Sequence, residues 1–223
     1  MKTSVIIPAA GGSVRMGTPK LLIPLGGIPV LARTISAFEN HEGIDKIIVV
    51  TTEEAAEIIA PFGFKKVKIL LNGGETRQST VQAGLADVNT EAVLVHDGAR
   101  PLVTHRAISD VLAYVHRGEC AVSGVKPKDT MKFTKESNKV EGTLDRDQVW
   151  IVQTPQGFPV NVLNEAHERA LADGFVGTDD AILVERMGIP VYMALGDYCN
   201  IKLTTPEDIS AAEAMIHNEY ITR

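Results

Sequence analysis

The chain has 223 residues, 44% hydrophobic and 22% charged, the balance of a folded globule rather than a disordered chain. Lys and Arg total 22 against 28 Asp and Glu, a formal net charge of −6, which excludes the broad positive surface of a nucleic-acid binder. Any anionic ligand must therefore be held by a local cluster of basic residues.

The length predicts one domain over residues 1–223. The first apolar run ends at Pro8, too short for a signal peptide or a membrane span, so the expectation is a cytoplasmic chain with no membrane partner. Cys120 and Cys199 form neither a disulfide framework nor a zinc motif and read as free thiols. Short β-branched runs at 4–8, 46–51, 67–71, 92–96 and 119–125 read as strands. Their apolarity is continuous rather than alternating, as in strands covered on both faces. Helical patterns separate them. Residues 29–38 carry Val30, Leu31, Thr34, Ile35 and Phe38 on one stripe behind Pro29, and helices follow at 76–85 and 104–116. Strands alternating with helices predict a Rossmann-like, mainly parallel sheet with helices on both faces.

The alternation breaks at 126–149. Residues 129–134 and 140–144 read as two strands around the polar turn 135–139, a β-hairpin protruding from the domain. It holds too little apolar surface to stand alone, and a second subunit is the economical support. A strand at 150–154, helices at 159–172 and 179–187, a strand at 190–195 and a helix at 206–217 complete the pattern. Thr205-Pro206-Glu207-Asp208 is a strong helix start.

Ligands of open α/β sheets bind at the carboxyl ends of the strands. The loop after the first strand, PAAGGSVRMGTPK (8–20), is rich in small residues that let backbone N–H groups form an anion nest, with Arg15 and Lys20 adding two positive charges. It matches neither a Walker A motif nor the GxGxxG fingerprint, and a plain tight turn is the alternative. The second loop, 72–80, is either a turn with a helix cap or an edge that reads a base and ribose. In the third, Asp97 and Arg100 either pair with each other or serve a ligand, the acid accepting from hydroxyls and the arginine binding phosphate. Asp179-Asp180 opens a helix, where acids are favoured without a metal, and no histidines stand at metal-ligand spacing. His96 and Asp97 point to opposite faces of an extended strand, which makes His96 structural.

Together PAAGGSVRMGTPK (8–20), GGETRQSTV (73–81), VHDGARP (95–101), KDTMK (128–132), DRDQVWIVQTPQGFP (145–159), TDDA (178–181) and NIKLTTPEDI (200–209) resemble the 2-C-methyl-D-erythritol 4-phosphate cytidylyltransferase family. The first block is common to many nucleotidyltransferases; the later ones are more specific. The chain departs at Ser13, where the family loop usually has a second glycine, and in the shorter Arg15–Lys20 spacing.

The resemblance implies transfer of CMP from CTP to methylerythritol phosphate with release of pyrophosphate, and Mg²⁺ carried mainly on the CTP phosphates. It implies catalytic roles for Arg15 and Lys20 at the transition state, and for Arg146 and Lys202 on the attacking phosphate. Ala9, Ala10, Gly11, Gly12, Gly74, Glu75, Thr80 and Gly98 are implied to bind CTP. Asp97, Arg100, Thr130, Thr154 and Thr178 are implied to bind the polyol phosphate, and no protein metal ligand is implied. The hairpin corresponds to a dimerisation arm that enters the neighbouring subunit's site, implying a homodimer with shared sites. Cytidylyl transfer to another polyol phosphate such as ribitol 5-phosphate, and a catalytically silent nucleotide-binding protein, are the alternatives.

Overall fold

The computed structural model describes residues 1–11, 19–71, 73–135 and 138–218. In chain order it runs β1 (Thr3–Ala9), a 3₁₀ turn (Lys20–Leu22), the short pair β2 (Pro24–Leu25) and β3 (Ile28–Pro29), α1 (Val30–Glu39), β4 (Lys46–Thr51), α2 (Glu53–Ile59), a second 3₁₀ turn (Ala60–Phe62), β5 (Val67–Leu71), α3 (Arg77–Leu85), β6 (Ala92–Val95), α4 (His105–Val115) and β7 (Cys120–Val125). Then come the hairpin β8 (Lys132–Thr134) and β9 (Val140–Thr143), β10 (Ile151–Pro159), α5 (Val160–Ala172), α6 (Ala181–Glu185), β11 (Val191–Leu195) and α7 (Pro206–His217).

A seven-stranded sheet in the order β11-β7-β10-β6-β1-β4-β5 forms the centre. Alternate side chains of its strands feed two cores. Val5 and Ile7 of β1, Ile47 and Val49 of β4, and Leu94 of β6 meet the apolar stripes of α1 and α4 on one face. Ile6, Ile48, Val50, Val93 and Val95 meet α3, α5 and α6 on the other. Burial on both faces accounts for the unbroken β-branched runs of these strands. Phe38 of α1 is fully buried and its ring lies 4.8 Å from that of His96, which seats the helix beneath the end of β6.

Every strand of the sheet is parallel except β10, which runs antiparallel between β6 and β7. The hairpin thus extends a connection between two antiparallel neighbours, β7 and β10, and needs no crossover helix. The chain builds outward from β1 through β4 to β5, then returns to place β6 on the other side of β1. That reversal opens a crevice at the carboxyl ends of β1 and β6.

Several elements differ from expectation. The helix α2 was not expected, although Thr52 caps it by accepting from the Ala55 N–H and Glu53 and Glu54 occupy its first turn. The strand expected at 150–154 continues to Pro159. The helix expected over 179–187 is shorter, because Asp179 and Asp180 form its entry rather than its first turn. The hairpin is present as a separate two-stranded sheet, exposed along almost its whole length.

Candidate active site

The floor of the site is made by strand ends. Ala9, Ala10 and Gly11 leave β1 beside Gly73 and Gly74, which precede α3; a Cβ on Gly73 would collide with the Ala10 methyl and the Thr80 side chain. The Thr80 hydroxyl donates to the Thr76 carbonyl at 2.9 Å, and Thr76 caps α3 through the Ser79 N–H at 3.0 Å. Across the crevice, the Gly98 carbonyl accepts from Thr34 of α1 at 2.9 Å. These contacts leave a cavity of about 400 Å³.

One wall of the cavity is a set of charges. Asp97 is buried, and its Oδ1 accepts from Arg77 Nε at 2.8 Å. Its Oδ2 meets Lys202 Nζ at 2.8 Å and Arg100 Nε at 3.7 Å. Burial pushes the Asp97 carboxyl up; Arg77 and then Lys202 overturn that push and hold it well below the usual carboxylate range. Arg77 also donates through Nη1 to Asp180 Oδ2 at 2.7 Å. Burial weakens the Arg77 charge, but Asp180 and Asp97 more than restore it, so the guanidinium is held above its ordinary value. Three cations therefore face two carboxylates, leaving a local positive excess inside an acidic chain.

The segment carrying Lys202 is pinned by hydrogen bonds to backbone carbonyls. Asn200 Nδ2 donates to the Thr154 carbonyl at 2.7 Å, Arg100 Nη1 donates to the Asn200 carbonyl at 2.8 Å, and the Leu203 N–H donates to the Ala99 carbonyl at 2.9 Å. On the far side of this wall lies a second cavity of about 300 Å³. Arg77, Asp97 and Lys202 line both cavities.

The sequence-derived residues divide between the two. Ala9, Ala10, Gly11, Lys20, Gly74, Glu75, Thr80 and Gly98 line the first cavity. Arg100, Thr154 and Thr178 line the second, and Asp97 and Lys202 belong to both. Thr130 and Arg146 lie exposed at the hairpin and line neither cavity of their own chain. Gly12, Ser13 and Arg15 lie outside the described residues. Asp97 and Arg100, offered from sequence as an ion pair or as ligand groups, do face each other, but Asp97 has nearer partners in Arg77 and Lys202.

Sequence reasoning missed Arg77, Asp180 and Gln156. A signal for Arg77 was available: it is the first residue of α3, where a cation opposes the helix dipole unless carboxylates meet it. Gln156 Oε1 accepts from the backbone N–H groups of Asp180 and Ala181, each at 3.1 Å, while its Nε2 donates to Asp179 Oδ2 at 2.7 Å. Asp179 Oδ1 in turn accepts from the Ile182 N–H at 3.0 Å, so this acid serves the start of α6.

His96 is structural, as expected. The Asp97 N–H donates to the Thr154 hydroxyl at 3.1 Å, which lies 3.0 Å from His96 Nδ1; His96 Nε2 lies 3.1 Å from the Arg100 carbonyl. That pattern assigns the neutral ring with its proton on Nε2. Burial lowers the His96 pKa from 6.5 to about 4. As pH falls, the unfolded chain takes up this proton first, so the stability tied to His96 is full above about pH 6.5 and drains away towards pH 4. By pH 4.5 the loss is expected to reach about 2 kcal/mol, and in His96→Gln that part of the slope should vanish. Urea denaturation at pH 7, 5.5 and 4.5 checks this, because the depressed carboxyls of Asp97 and Asp180 act lower. An unaltered slope in the variant would contradict a buried neutral imidazole.

The family model for 2-C-methyl-D-erythritol 4-phosphate cytidylyltransferase matches residues 3–218. A relative of that name from Caldanaerobacter subterraneus is 43% identical over 225 residues, covering 97% of this chain and 99% of its own. Another of that name, from Bacillus velezensis, is 44% identical over 227 residues, covering 98% of this chain and 97% of its own. The crystal structure of the 4-diphosphocytidyl-2C-methyl-D-erythritol synthase of Anaerococcus prevotii superposes with a TM-score of 0.88 at 32% identity, covering 97% of this chain and 96% of that one. The cytidylyltransferase structure from Thermus thermophilus gives 0.81 at 33% identity, covering 97% of this chain and 100% of that one. With a match over almost its whole length, in sequence and in fold, this chain belongs to the 2-C-methyl-D-erythritol 4-phosphate cytidylyltransferase family.

Proposed function

We propose that the chain transfers the cytidylyl group of CTP to 2-C-methyl-D-erythritol 4-phosphate, giving the diphosphocytidyl product and pyrophosphate. The observation that carries this reading, beside membership of the family, is the pair of cavities sharing the Arg77–Asp97–Lys202 wall. The first cavity, with its small-residue floor, takes CTP; the second takes the polyol phosphate.

In the proposed reaction an oxygen of the acceptor phosphate attacks the α-phosphorus of CTP. The new P–O bond forms as the bond to the β-phosphate oxygen breaks, and pyrophosphate leaves with that electron pair. No covalent protein intermediate is needed. Two anions must approach each other, so cations are required on both sides of the reacting centre. Arg15 and Lys20 hold the α-phosphate side, and Lys202 and Arg146 hold the attacking phosphate. Preorganised cations aimed at the charge that develops on phosphorus oxygens are worth on the order of 3 kcal/mol per contact. The backbone of Ala9, Ala10, Gly11 and Gly12 cradles the nucleotide, while Gly74, Glu75, Thr80 and Gly98 contact base and ribose. Asp97, Arg100, Thr154 and Thr178 orient the acceptor, with Thr130 reaching it from the hairpin.

Mg²⁺ enters this reading on the triphosphate, where it offsets the charge of the leaving group. The donor set fits that arrangement in that Asp97 and Asp180 are both engaged by cations of the chain itself. The hairpin is proposed as the arm of a homodimer, delivering Thr130 and Arg146 to the partner's second cavity. Their exposure and their absence from the lining of both cavities of their own chain support this, as do the half-exposed Phe133 and Val140 along the hairpin. No helix among the described residues is long and apolar enough to cross a membrane. Both proposed substrates are small water-soluble phosphates, and the reaction is placed in the cytoplasm.

Pyrophosphate release from CTP and Mg²⁺ tests the reading, with methylerythritol phosphate and ribitol 5-phosphate offered separately. The first acceptor is expected to be turned over at least about tenfold more efficiently; a preference for ribitol 5-phosphate would reassign the substrate, and CTP binding without turnover would make the chain a silent nucleotide binder. Shared sites are tested by mixing Arg15→Ala and Arg146→Ala subunits. Each alone should lose about 10²-fold or more in turnover, and heterodimers should regain part of it. Absence of recovery on mixing would mean that each chain completes its own site.

A further inference from the structure

Arg77 belongs to no role assigned so far, yet it is the only described residue joining the two buried carboxylates of the wall. We propose that Arg77 is a positioning residue: its guanidinium holds the Asp97 carboxylate, and through it the Lys202 ammonium, at the boundary between the nucleotide and acceptor cavities. The inference rests on the two-substrate reading above and extends it to a residue that need not touch either substrate.

The geometry forms a chain of fixed points. Asp180 is 1% exposed and fastened twice, through its backbone N–H to Gln156 Oε1 at 3.1 Å and through Oδ1 to His167 Nε2 at 3.3 Å. Its remaining oxygen holds Arg77 Nη1 at 2.7 Å. The rigid planar fork then presents Nε to Asp97 Oδ1 at 2.8 Å. With Oδ1 occupied, Oδ2 is turned towards Lys202 Nζ at 2.8 Å. Lys202 itself sits on a flexible stem whose side chain is 41% exposed, so it depends on Asp97 for a single position. A carboxylate not held by Arg77 would rotate about its last torsion and draw Lys202 with it. The cost of a loose cation falls on the chemical step, since small misplacements of groups around a reacting centre lower turnover more than ground-state binding.

A plain structural brace between α3, α6 and the end of β6 would use the same bonds, so the test must separate the two. Arg77→Lys keeps a positive charge beside buried Asp180, which protects the fold, but an ammonium cannot span both carboxylates. Positioning predicts that kcat falls about tenfold or more while KM for CTP stays within about threefold of wild type. Arg77→Ala should fall further, and added guanidinium ion should restore its rate at least about tenfold without stimulating the wild type. A brace predicts a lower melting temperature with kcat per folded molecule within about twofold of wild type, and that result overturns the proposal. Loss of rate without guanidinium rescue in folded Arg77→Ala also overturns it; if that variant does not fold, Arg77→Lys decides alone. If the wild-type chain releases no pyrophosphate with any acceptor, the functional reading has failed, and a crystal structure of Arg77→Lys still judges Arg77: the Asp97 carboxylate should rotate and Lys202 Nζ leave Oδ2, and an unchanged Asp97–Lys202 pair would refute the tether.

Discussion

A carboxylate taken out of water must be met by charge and hydrogen bonds, or it protonates or disrupts the fold. Asp97 is such a group, and the arrangement of the site follows from how it is met. Arg77 comes from the start of α3, Arg100 from the turn after β6, and Lys202 from the segment before α7. These elements are far apart in sequence and share one anchor. The peptide of Asp97 is held as firmly as its side chain, because its N–H runs into the Thr154–His96 network. A neutral buried ring, a threonine and a backbone carbonyl thus fix the point from which three cations are aimed.

This arrangement reconciles an acidic protein with anionic substrates. The net charge of −6 describes the whole surface, while the two cavities of the crevice are lined by Lys20, Arg77, Arg100 and Lys202 against Glu75, Asp97 and Asp179. The carboxylates keep the cations from repelling one another before substrates arrive, and they fix their positions. Binding of phosphate then replaces little structure. On the proposed reading that preorganisation is the main contribution of the protein, since the chemistry consists of bringing two anions together.

Much of the fold was legible because buried parallel strands must be β-branched along their whole length, as in Val5-Ile6-Ile7 and Ile47-Ile48-Val49-Val50. The closing helix announced itself through Thr205, Pro206 and Asp208, and α7 begins at Pro206. Strand direction has no comparable local signature. Nothing in the composition of residues 151–159 distinguishes an antiparallel β10 from a parallel one, and only its hairpin-like entry hints at it. The helix α2 carried ordinary start signals at Thr52, Glu53 and Glu54 but is one face of a short segment ended by Pro61, with little periodicity to read. In the site, residues in strand-end loops were found because topology places such loops together. Arg77 escaped because its partners, Asp97 and Asp180, are 20 and 103 positions away. Thr130 and Arg146 were named through the family resemblance alone, and a single chain does not bring them to either cavity.

The central claim is that both substrates are held at once, across one shared wall, before any bond changes. Exchange of labelled pyrophosphate into CTP with the acceptor omitted tests this most directly. A site that needs the acceptor phosphate as its nucleophile should show no exchange above the uncatalysed background, with exchange appearing once methylerythritol phosphate and its diphosphocytidyl product are supplied. Steady exchange without acceptor would require a cytidylylated protein group, and would contradict the account.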